Sequence, residues 1–597
     1  MRDCYRTFIA KTSRFLLLPV AAVALLVAGC DSQLQNEPYS EITPDQFYQN
    51  ESEFVAAVTG VAAQMRNFVF GPLNLQEHAS DETMVPTRGP DWGDGGQWRQ
   101  MTQHTWDATH PFPNEAWNTM QVGIARANGV LSTLQGSEAL PDEQKAQFAA
   151  ETRFLRAVYY YYMIDLFGNV PVVVEEGADT DFTTQDQVTP AEPAPQRERA
   201  QVFSFLLSEL TGCTTDNFSI ANCIDNPSGG ALADLPDKAD VPYGRPTVGA
   251  GYALLARLLI NAEIYTGTVS EGGVSTGMAM YEEASAAAGV LIDGALSSDY
   301  MLTDDYFDNF AADNFNSDEI VFGIPFSADA EAGFVVHNAS LHYNQPLPAT
   351  PWNGFTTIAE FYNSFDVGPD NNGDGRPDTY NDDRARQFMV GAQYQEPSSE
   401  CHGADCYSDP DSGPVTVRGT DTQLSFSTTI PSIQLEGDAE TLEAPGARPM
   451  KWELDPGAVG TNMGNDYPLF RLAEMYLIKA EAENEVNGPG AASPYIEALR
   501  DRANASTDDL PPADESTMRA LILQERGHEM HFESVRRQDL IRYEFAHGGS
   551  DLDSPYYAPT FTAPWQFKQA SDPFRALFPI PEAQISVNPT LDQNPGY

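Results

Sequence analysis

Helical periodicity in two blocks, separated by a long stretch without it, constrains this fold more than any other feature. In residues 154–161 the apolar side chains recur at i, i+3, i+4 and i+7, which predicts a helix with one buried face. The same pattern returns in 467–487. Between the blocks, residues 294–465 lose this period and concentrate Gly, Pro, Asp and Asn. We predict a mostly α-helical, superhelical scaffold over about 44–293 and 466–547, with an irregular loop and short-strand insertion of about 170 residues, too long for a plain linker.

Capping signals place the boundaries of the individual helices. Helix 141–167 has Pro141 at its start and Gly168 directly after its end, which are residue types favoured at these positions. Segment 71–113 is rich in Gly, Pro, Trp and His, and it is expected to be a long structured loop. The other helices are predicted at 114–135, 197–211, 247–266, 278–293, 467–487, 491–504, 515–531 and 533–547.

The first 29 residues read as a secretory signal rather than as part of the fold. A basic start is followed by the apolar run 15–27 and then by Val27, Ala28, Gly29 and Cys30. This ending resembles a bacterial lipobox, so residues 1–29 are predicted to be a lipoprotein signal peptide. Cys30 is then the acylated first residue of the mature chain and 30–43 a tether. The alternative is a plain cleaved signal with an incidental cysteine.

The balance of charge excludes whole classes of partner. Against 33 Lys and Arg there are 86 Asp and Glu, a net charge of −53. A nucleic-acid binder needs cations to neutralise phosphates, so that class is excluded. Removing residues 1–29 would take away four basic and one acidic side chain and leave −56. Such a surface is tolerable where salt screens it, which favours adaptation to high salt over an ordinary acidic secreted protein.

The remaining cysteines come in close pairs within loop-rich segments. Cys213 lies near Cys223, and Cys401 near Cys406. An exported chain lives where disulfides persist, so two local disulfides are predicted.

Five segments together resemble the SusD/RagB family of nutrient-uptake lipoproteins of the Bacteroidetes outer membrane. They occur in the family's order and span nearly the whole mature chain. Two positions depart from the family pattern: Ser534 stands where Gly is usual, and Gln538 where an aromatic residue is frequent. The segments are RFLRAVYYYYMIDLFGNVP (153–171), GRPT with ALLAR (244–257), YPLFRLAEMYLIKAEAE (467–483), ERGHEMHFE with R, DL and R (525–542), and FPIP with NP and QNPGY (578–597).

This resemblance implies a fold, a location and a role. The fold would be a tetratricopeptide-like helix-pair superhelix filling residues 44–597. The location would be the extracellular face of the outer membrane, lipid-anchored, with a SusC-like TonB-dependent transporter as partner. The role would be capture of an oligosaccharide or another large nutrient, without catalysis. A secreted glycoside hydrolase and a helical protein-interaction scaffold without a nutrient ligand remain the alternatives. No nucleophile elbow, Walker loop or dinucleotide fingerprint occurs in context.

Two aromatic segments are candidates for the ligand-binding face. Trp92 and Trp98 lie in a Gly-rich stretch among Arg88, Asp91 and Arg99. Sugar C–H faces stack on aromatic rings, and hydroxyl pairs suit carboxylate and guanidinium groups, so these five residues are predicted ligand contacts. Burial of the two Trp side chains beneath the loop is the alternative.

The insertion supplies the second aromatic segment. Tyr343 and Trp352 lie in Gly- and Pro-rich surroundings and are also predicted to contact ligand. The alternative role for both residues is to cap the helical body.

One loop of the insertion has the start of a calcium-binding pattern. Oxygen ligands would come from Asp370, Asn372, Asp374 and Asp378, with the Arg376 carbonyl at position 7 and Gly375 at position 6. The expected ion would be structural. The alternative is an Asp/Asn/Gly turn that arises from the acidic composition.

Overall fold

A computed structural model describes residues 48–178, 181–329, 333–395, 402–549 and 554–597. The predicted signal peptide 1–29, the tether 30–43 and the acylated Cys30 lie outside the described residues. The chain divides into two compact units, Met1–Phe54 and Val55–Tyr597. In the first unit the described residues are 48–54, which include the beginning of a helix.

Helices dominate the described chain, and most strands are two-residue pairs. The α-helices are α1 (Glu51–Ala63), α2 (Met65–Glu77), α3 (Gln97–Gln103), α4 (Pro111–Gly136), α5 (Asp142–Phe167), α6 (Arg199–Thr211), α7 (Val248–Ile260), α8 (Ala262–Tyr265), α9 (Tyr281–Ile292), α10 (Val336–Ser340), α11 (Ala359–Tyr362), α12 (Ala439–Glu443), α13 (Leu472–Asn487), α14 (Pro489–Arg502), α15 (Glu515–Met530), α16 (Arg536–Phe545) and α17 (Glu582–Val587). The strands are β1 (Thr83–Met84), β2 (Thr87–Arg88), β3 (Val170–Pro171), β4 (Val173–Val174), β5 (Thr183–Thr184), β6 (Gln196–Arg197), β7 (Thr268–Ser270), β8 (Gly273–Ser275), β9 (Ile320–Ile324), β10 (Thr356–Thr357), β11 (Phe388–Met389), β12 (Gly391–Ala392), β13 (Ser425–Phe426), β14 (Gln434–Leu435), β15 (Arg448–Pro449) and β16 (Tyr467–Arg471).

Helix α5 is at the centre of the helical scaffold. Its C-terminal half is buried on every side, including the four consecutive tyrosines 159–162. The helix ends at Gly168, whose positive φ of 71° suits glycine and whose N–H donates to the Ile164 carbonyl. A Cβ at Gly168 would lie 2.7 Å from Leu577 Cδ1, so the close approach of the C-terminal segment also requires glycine here.

The helices pack as successive neighbours. Helix α5 packs between α4 and α6, α7 packs on α9, α9 on α13, and α13 on α14 and α15, while α15 packs on α16. The prediction of a mostly α-helical fold built from tetratricopeptide-like helix pairs is confirmed. The contact of α9 with α13 joins the two helical blocks across the insertion.

A strand pair brings the ends of the insertion together. Strand β16 pairs antiparallel with β9, and all residues of both strands are buried. The sequence interpretation placed 467–471 in the helix that follows, and this is wrong. These residues form β16, because their backbone groups pair with β9, and α13 begins only at Leu472.

The prediction of a loop over 71–113 is also wrong in part. Helix α2 continues to Glu77, and α3 occupies Gln97–Gln103. Gly95 and Gly96 have positive φ values of 65° and 92° directly before α3. The glycines that suggested a loop therefore supply the tight turn from which a helix starts.

Of the two predicted disulfides, one lies wholly within the described residues. The Cys213 and Cys223 sulfur atoms are 2.09 Å apart, with Cα atoms 6.2 Å apart. This bond links the end of α6 to the π-helical turn at Ile220–Ile224. Cys401 lies outside the described residues, so its pairing with Cys406 stays a prediction.

Candidate functional site

The two aromatic segments, whose contacting residues are 252 to 260 positions apart in the sequence, meet at one surface. Trp92 Nε1 donates to the Trp352 carbonyl at 2.7 Å, and the Tyr343 hydroxyl donates to Asp91 Oδ2 at 2.6 Å. The three residues are each partly exposed. We call Trp92, Tyr343 and Trp352 the aromatic platform.

The backbone around Trp92 explains how its ring reaches this position. Arg88 and Asp91 exchange backbone hydrogen bonds, N to O at 2.9 and 3.1 Å, which closes a tight turn. Trp92 then takes a positive φ of 59°. A Cβ at Gly354 would come within 2.2 Å of the Trp92 ring, so the ring can lie here only because that position is glycine.

Arg418 completes the site, and the sequence reasoning missed it. Its guanidinium carbon lies 4.1 Å from the centre of the Tyr343 ring, a cation–π distance. It bonds Asp91 Oδ2 at 3.2 Å and Glu443 Oε1 at 3.1 Å, while half of the side chain, 51%, stays exposed. No local pattern marks an arginine in an irregular segment, because only the tertiary fold brings it to Tyr343.

Buried groups fix the orientation of this polar rim. Glu443 accepts from the Arg418 backbone N–H at 2.9 Å and contacts His342 Nε2 at 2.8 Å. Burial lowers the pKa of His342, which keeps this imidazole neutral at neutral pH. Although burial opposes the shift, the Asp91 and Glu443 carboxylates raise the pKa of Arg418. The surface therefore presents a fixed cation, a fixed carboxylate and aromatic rings.

Three predicted ligand contacts have other roles in the structure. Arg88 is 1% exposed and donates to the Leu442 and Pro445 carbonyls at 2.8 and 3.0 Å. Trp98 is 6% exposed. Their burial contradicts the prediction that Arg88 and Trp98 contact ligand, since neither reaches the surface. Arg99 is partly exposed, and its guanidinium donates to the Thr87 hydroxyl.

Trp98 supports the platform from below. Its Nε1 donates to Asp94 Oδ2 at 2.9 Å, and its ring packs 4.7 Å from Phe112 and 5.3 Å from Trp92. The edge-to-face contact with Trp92 stabilises the position of the partly exposed ring.

The predicted calcium loop is held by its own hydrogen bonds. The Asp370 carboxylate accepts from the Gly373 and Gly375 amides at 2.7 and 2.8 Å. Asp374 Oδ1 accepts from the Arg376 amide at 2.8 Å, and Asn372 Oδ1 accepts from the Asp374 amide at the same distance.

The other side chains of this loop are also bonded within the protein. The Arg376 guanidinium donates to three backbone carbonyls, and Asp378 accepts from Asn371. Within the described ranges no group of three or more His, Cys, Asp or Glu side chains converges as metal ligands do. Calcium binding by Asp370, Asn372, Asp374, Arg376 and Asp378 stays a prediction.

No helix within the described part of the chain has both the length and the apolarity to cross a membrane. Two family models match the sequence. One is described as the SusD family and matches residues 447–597, and the other is described as "Starch-binding associating with outer membrane" and matches 34–260.

Full-length relatives are found among known proteins. SusD-like protein P25 of Formosa agariphila is 23% identical, with 94% of this chain and 95% of the relative covered. The starch-binding protein SusD of Bacteroides thetaiotaomicron is also 23% identical, with 97% and 98% covered.

Solved structures share the fold. A SusD-like protein from Bacteroides fragilis superposes with a TM-score of 0.64 at 19% identity, covering 94% of this chain and all of that one. A laminarin-binding SusD-like protein superposes with a TM-score of 0.60 at 20% identity, covering 92% of this chain and all of that one. The motifs, the fold and both family models agree, and the chain belongs to the SusD/RagB family.

Proposed function

We propose that this chain is a carbohydrate-capture protein of the cell surface that binds an oligosaccharide on the aromatic platform. The observation that carries the proposal is the convergence of Trp92, Tyr343 and Trp352 with Asp91 and Arg418 on one partly exposed surface. The names of two relatives, a starch-binding and a laminarin-binding protein, support a saccharide as the ligand.

The chemistry of the platform suits a sugar ring. The exposed parts of the aromatic rings offer apolar area to the C–H faces of a pyranose, and the Asp91 carboxylate and Arg418 guanidinium can bond its hydroxyls. The Tyr343 hydroxyl and Glu443 hold these two polar groups in place. Binding therefore costs little side-chain entropy, since the contact groups are already oriented.

We further propose that the captured sugar passes to a TonB-dependent outer-membrane transporter. The family resemblance supports this partner, and the lipobox-like ending at Cys30 supports a lipid anchor on the extracellular face. The model description that mentions association with the outer membrane supports the same location.

Replacing Trp92 tests the platform. Calorimetry of Trp92→Ala, with the best binder from an array of neutral oligosaccharides, should show an affinity loss of about 1–3 kcal/mol, roughly five- to hundredfold. The matched control is Phe315→Ala, which removes a 53% exposed aromatic ring outside the platform and should leave the affinity unchanged. Wild-type affinity in Trp92→Ala would refute the platform as the binding surface.

A second measurement separates capture from catalysis. The Asp91 carboxylate on the platform is already bonded to Tyr343 and Arg418, so we expect the bound oligosaccharide to be recovered intact. Reducing ends are counted after prolonged incubation with the protein. Their release, abolished by a single Asp or Glu substitution, would favour a glycoside hydrolase instead.

A further inference from the structure

A second cleft, formed by elements other than those of the aromatic platform, has the size and the polar lining of a separate binding site. It has a volume of about 840 Å³ and is lined by residues of α4, α5, α6, β4 and β6. That volume is in the range of about 300–1,000 Å³ that small-molecule sites occupy. It shares no lining residue with the aromatic platform.

The floor of the cleft is a closed set of ion pairs. Arg156 is 1% exposed and bonds Glu175 Oε2 at 2.5 Å, Glu209 Oε2 at 2.7 Å and Asn128 Oδ1 at 2.7 Å. Each of its three guanidinium nitrogens contacts a side-chain oxygen within the protein, so the main role of Arg156 is to orient the two glutamates.

Two other arginines at the cleft have N–H donors that no described protein group accepts. Arg153, one turn before Arg156 on α5, is partly exposed and has no hydrogen-bond or ion-pair partner among the described residues. Arg197 donates through Nη2 to the Asp181 carbonyl at 2.9 Å, but its Nε is buried with no acceptor in the part of the chain that the structure describes. A buried N–H without an acceptor is rare, so this group calls for a ligand oxygen or a water molecule.

One face of α6 forms a polar wall with an aromatic ring in it. Gln201, Ser204, Phe205 and Ser208 follow the i, i+3, i+4, i+7 spacing, and all four line the cleft. The Phe205 ring is 6% exposed and packs between Tyr160 and Phe182, with ring centres 5.3 and 5.1 Å away, so the partly exposed Phe182 supplies the apolar surface of the cleft. The hydroxyls and amide on this face can bond a polyhydroxylated molecule beside an apolar surface.

The charges narrow the ligand class. Within the described chain, three arginines and four acidic side chains line the cleft, so the charges nearly cancel. The carboxylates would repel a polyanion, and Arg153 would repel a cation. A neutral molecule rich in hydroxyl groups fits both the guanidinium donors and the carboxylate acceptors.

We propose that the α5–α6 cleft is a second saccharide-binding site, which takes a short neutral oligosaccharide independently of the platform. The choice of a saccharide, but not the existence of the site, rests on the proposed function. Two sites on one chain would hold a polysaccharide at two points and so raise its apparent affinity through effective concentration.

Two variants probe the cleft in different ways. Arg153→Ala removes a free donor and should weaken binding in the cleft by about tenfold or more. Ser208→Trp fills the cleft without touching the ion-paired floor, and it keeps the test valid if Arg153→Ala lowers stability. Arg126→Ala, which removes an exposed arginine of α4 outside the cleft, is the charge-matched control. A thermal melt confirms that each variant is folded.

The probes are neutral hexasaccharides, including maltohexaose and laminarihexaose, titrated calorimetrically into the full mature chain. The expected result is two binding events per chain, one lost in Trp92→Ala and the other in Ser208→Trp. A single event that disappears in Trp92→Ala overturns the second site and leaves the platform standing. A single event that survives Trp92→Ala and disappears in Ser208→Trp supports the cleft and overturns the platform. Absence of binding to every probe overturns both.

Discussion

Glu77 and Glu82 are buried and lie close enough for each carboxyl group to shift the pKa of the other. Burial raises the pKa of Glu77 to about 7, and burial together with the Glu77 charge raises the pKa of Glu82 well above its ordinary value. Glu77 Oε2 and Glu82 Oε2 accept no bond from any other described donor. We infer that one proton lies between the two carboxyl groups at neutral pH.

This shared proton gives a pH dependence with a definite sign. Because the folded pKa is raised, the folded chain holds a proton that the unfolded chain releases, so the unfolding free energy falls as pH rises from about 4.5 to about 7. Glu82→Gln supplies a permanent N–H donor, so it should flatten this fall and stabilise the chain at pH 8, on the order of 3 kcal/mol. Urea unfolding across this pH range measures the effect.

The control for that series is Glu582→Gln, an exposed acid at the start of α17, which should leave the pH dependence unchanged. Equal slopes for Glu82→Gln and the wild type would contradict the shared proton.

Ser534 shows how a departure from the family pattern is accommodated. It has a positive φ of 62°, in the region where the glycine usual at this position is unstrained. Its amide donates to Glu77 Oε1 at 2.7 Å, and its hydroxyl lies 2.8 Å from the Tyr467 hydroxyl. Glycine would keep the amide bond but not the hydroxyl bond, so the hydroxyl bond is what offsets a backbone strain on the order of 1 kcal/mol and lets serine be tolerated here.

Charged residues of the family motifs form buried ion pairs between helices that are distant in the sequence. Arg257 on α7 bonds both carboxylate oxygens of Glu474 on α13, at 2.6 and 2.5 Å, and also the Leu469 carbonyl at 2.7 Å. Both side chains are almost fully buried. Arg542 on α16 bonds Glu481 on α13 in the same way. The motifs therefore specify contacts between helices, in addition to the helices themselves.

Breaking one of these buried ion pairs should lower the unfolding free energy substantially. Glu474→Gln leaves the Arg257 charge buried and unpaired, so we expect the unfolding free energy to drop by about 3–5 kcal/mol. Asp142→Asn, which removes an almost fully exposed partner of Lys145, is the matched control and should leave stability nearly unchanged. Denaturant titration of both variants gives the comparison, and similar small losses in both would show that the buried pair is dispensable.

Local sequence patterns predicted the helices well because each long helix carries its own periodicity and caps. They failed at 467–471, where a continuous buried run fits a strand or a helix equally and the pairing partner lies about 150 residues away. At the candidate site, Trp92 and Tyr343 were predicted singly from composition. Their convergence, the burial of Trp98 and the participation of Arg418 depend on tertiary contacts that no local window contains.

For the whole molecule, the position of the charges matters as much as their sum. The net charge is −53, and many of the few cations are inside: eight arginines are among the largest fully buried side chains of the described residues. They are Arg88, Arg156, Arg257, Arg384, Arg448, Arg471, Arg536 and Arg537. Several of these neutralise internal carboxylates rather than surface ones, so the solvent-facing shell is dominated by acids that repel one another.

This distribution predicts that salt stabilises the fold. Raising NaCl from about 0.1 M to about 1 M shortens the Debye length from about 10 to about 3 Å, which screens repulsion at the surface but hardly affects the buried pairs. We expect the thermal midpoint to rise over this range. Repeating the scan with sodium sulfate at equal ionic strength separates screening from anion-specific effects, because screening predicts nearly the same rise in both salts. A midpoint that stays flat or falls in NaCl would show that self-repulsion does not limit stability, and the acidic surface would then need an explanation other than adaptation to salt.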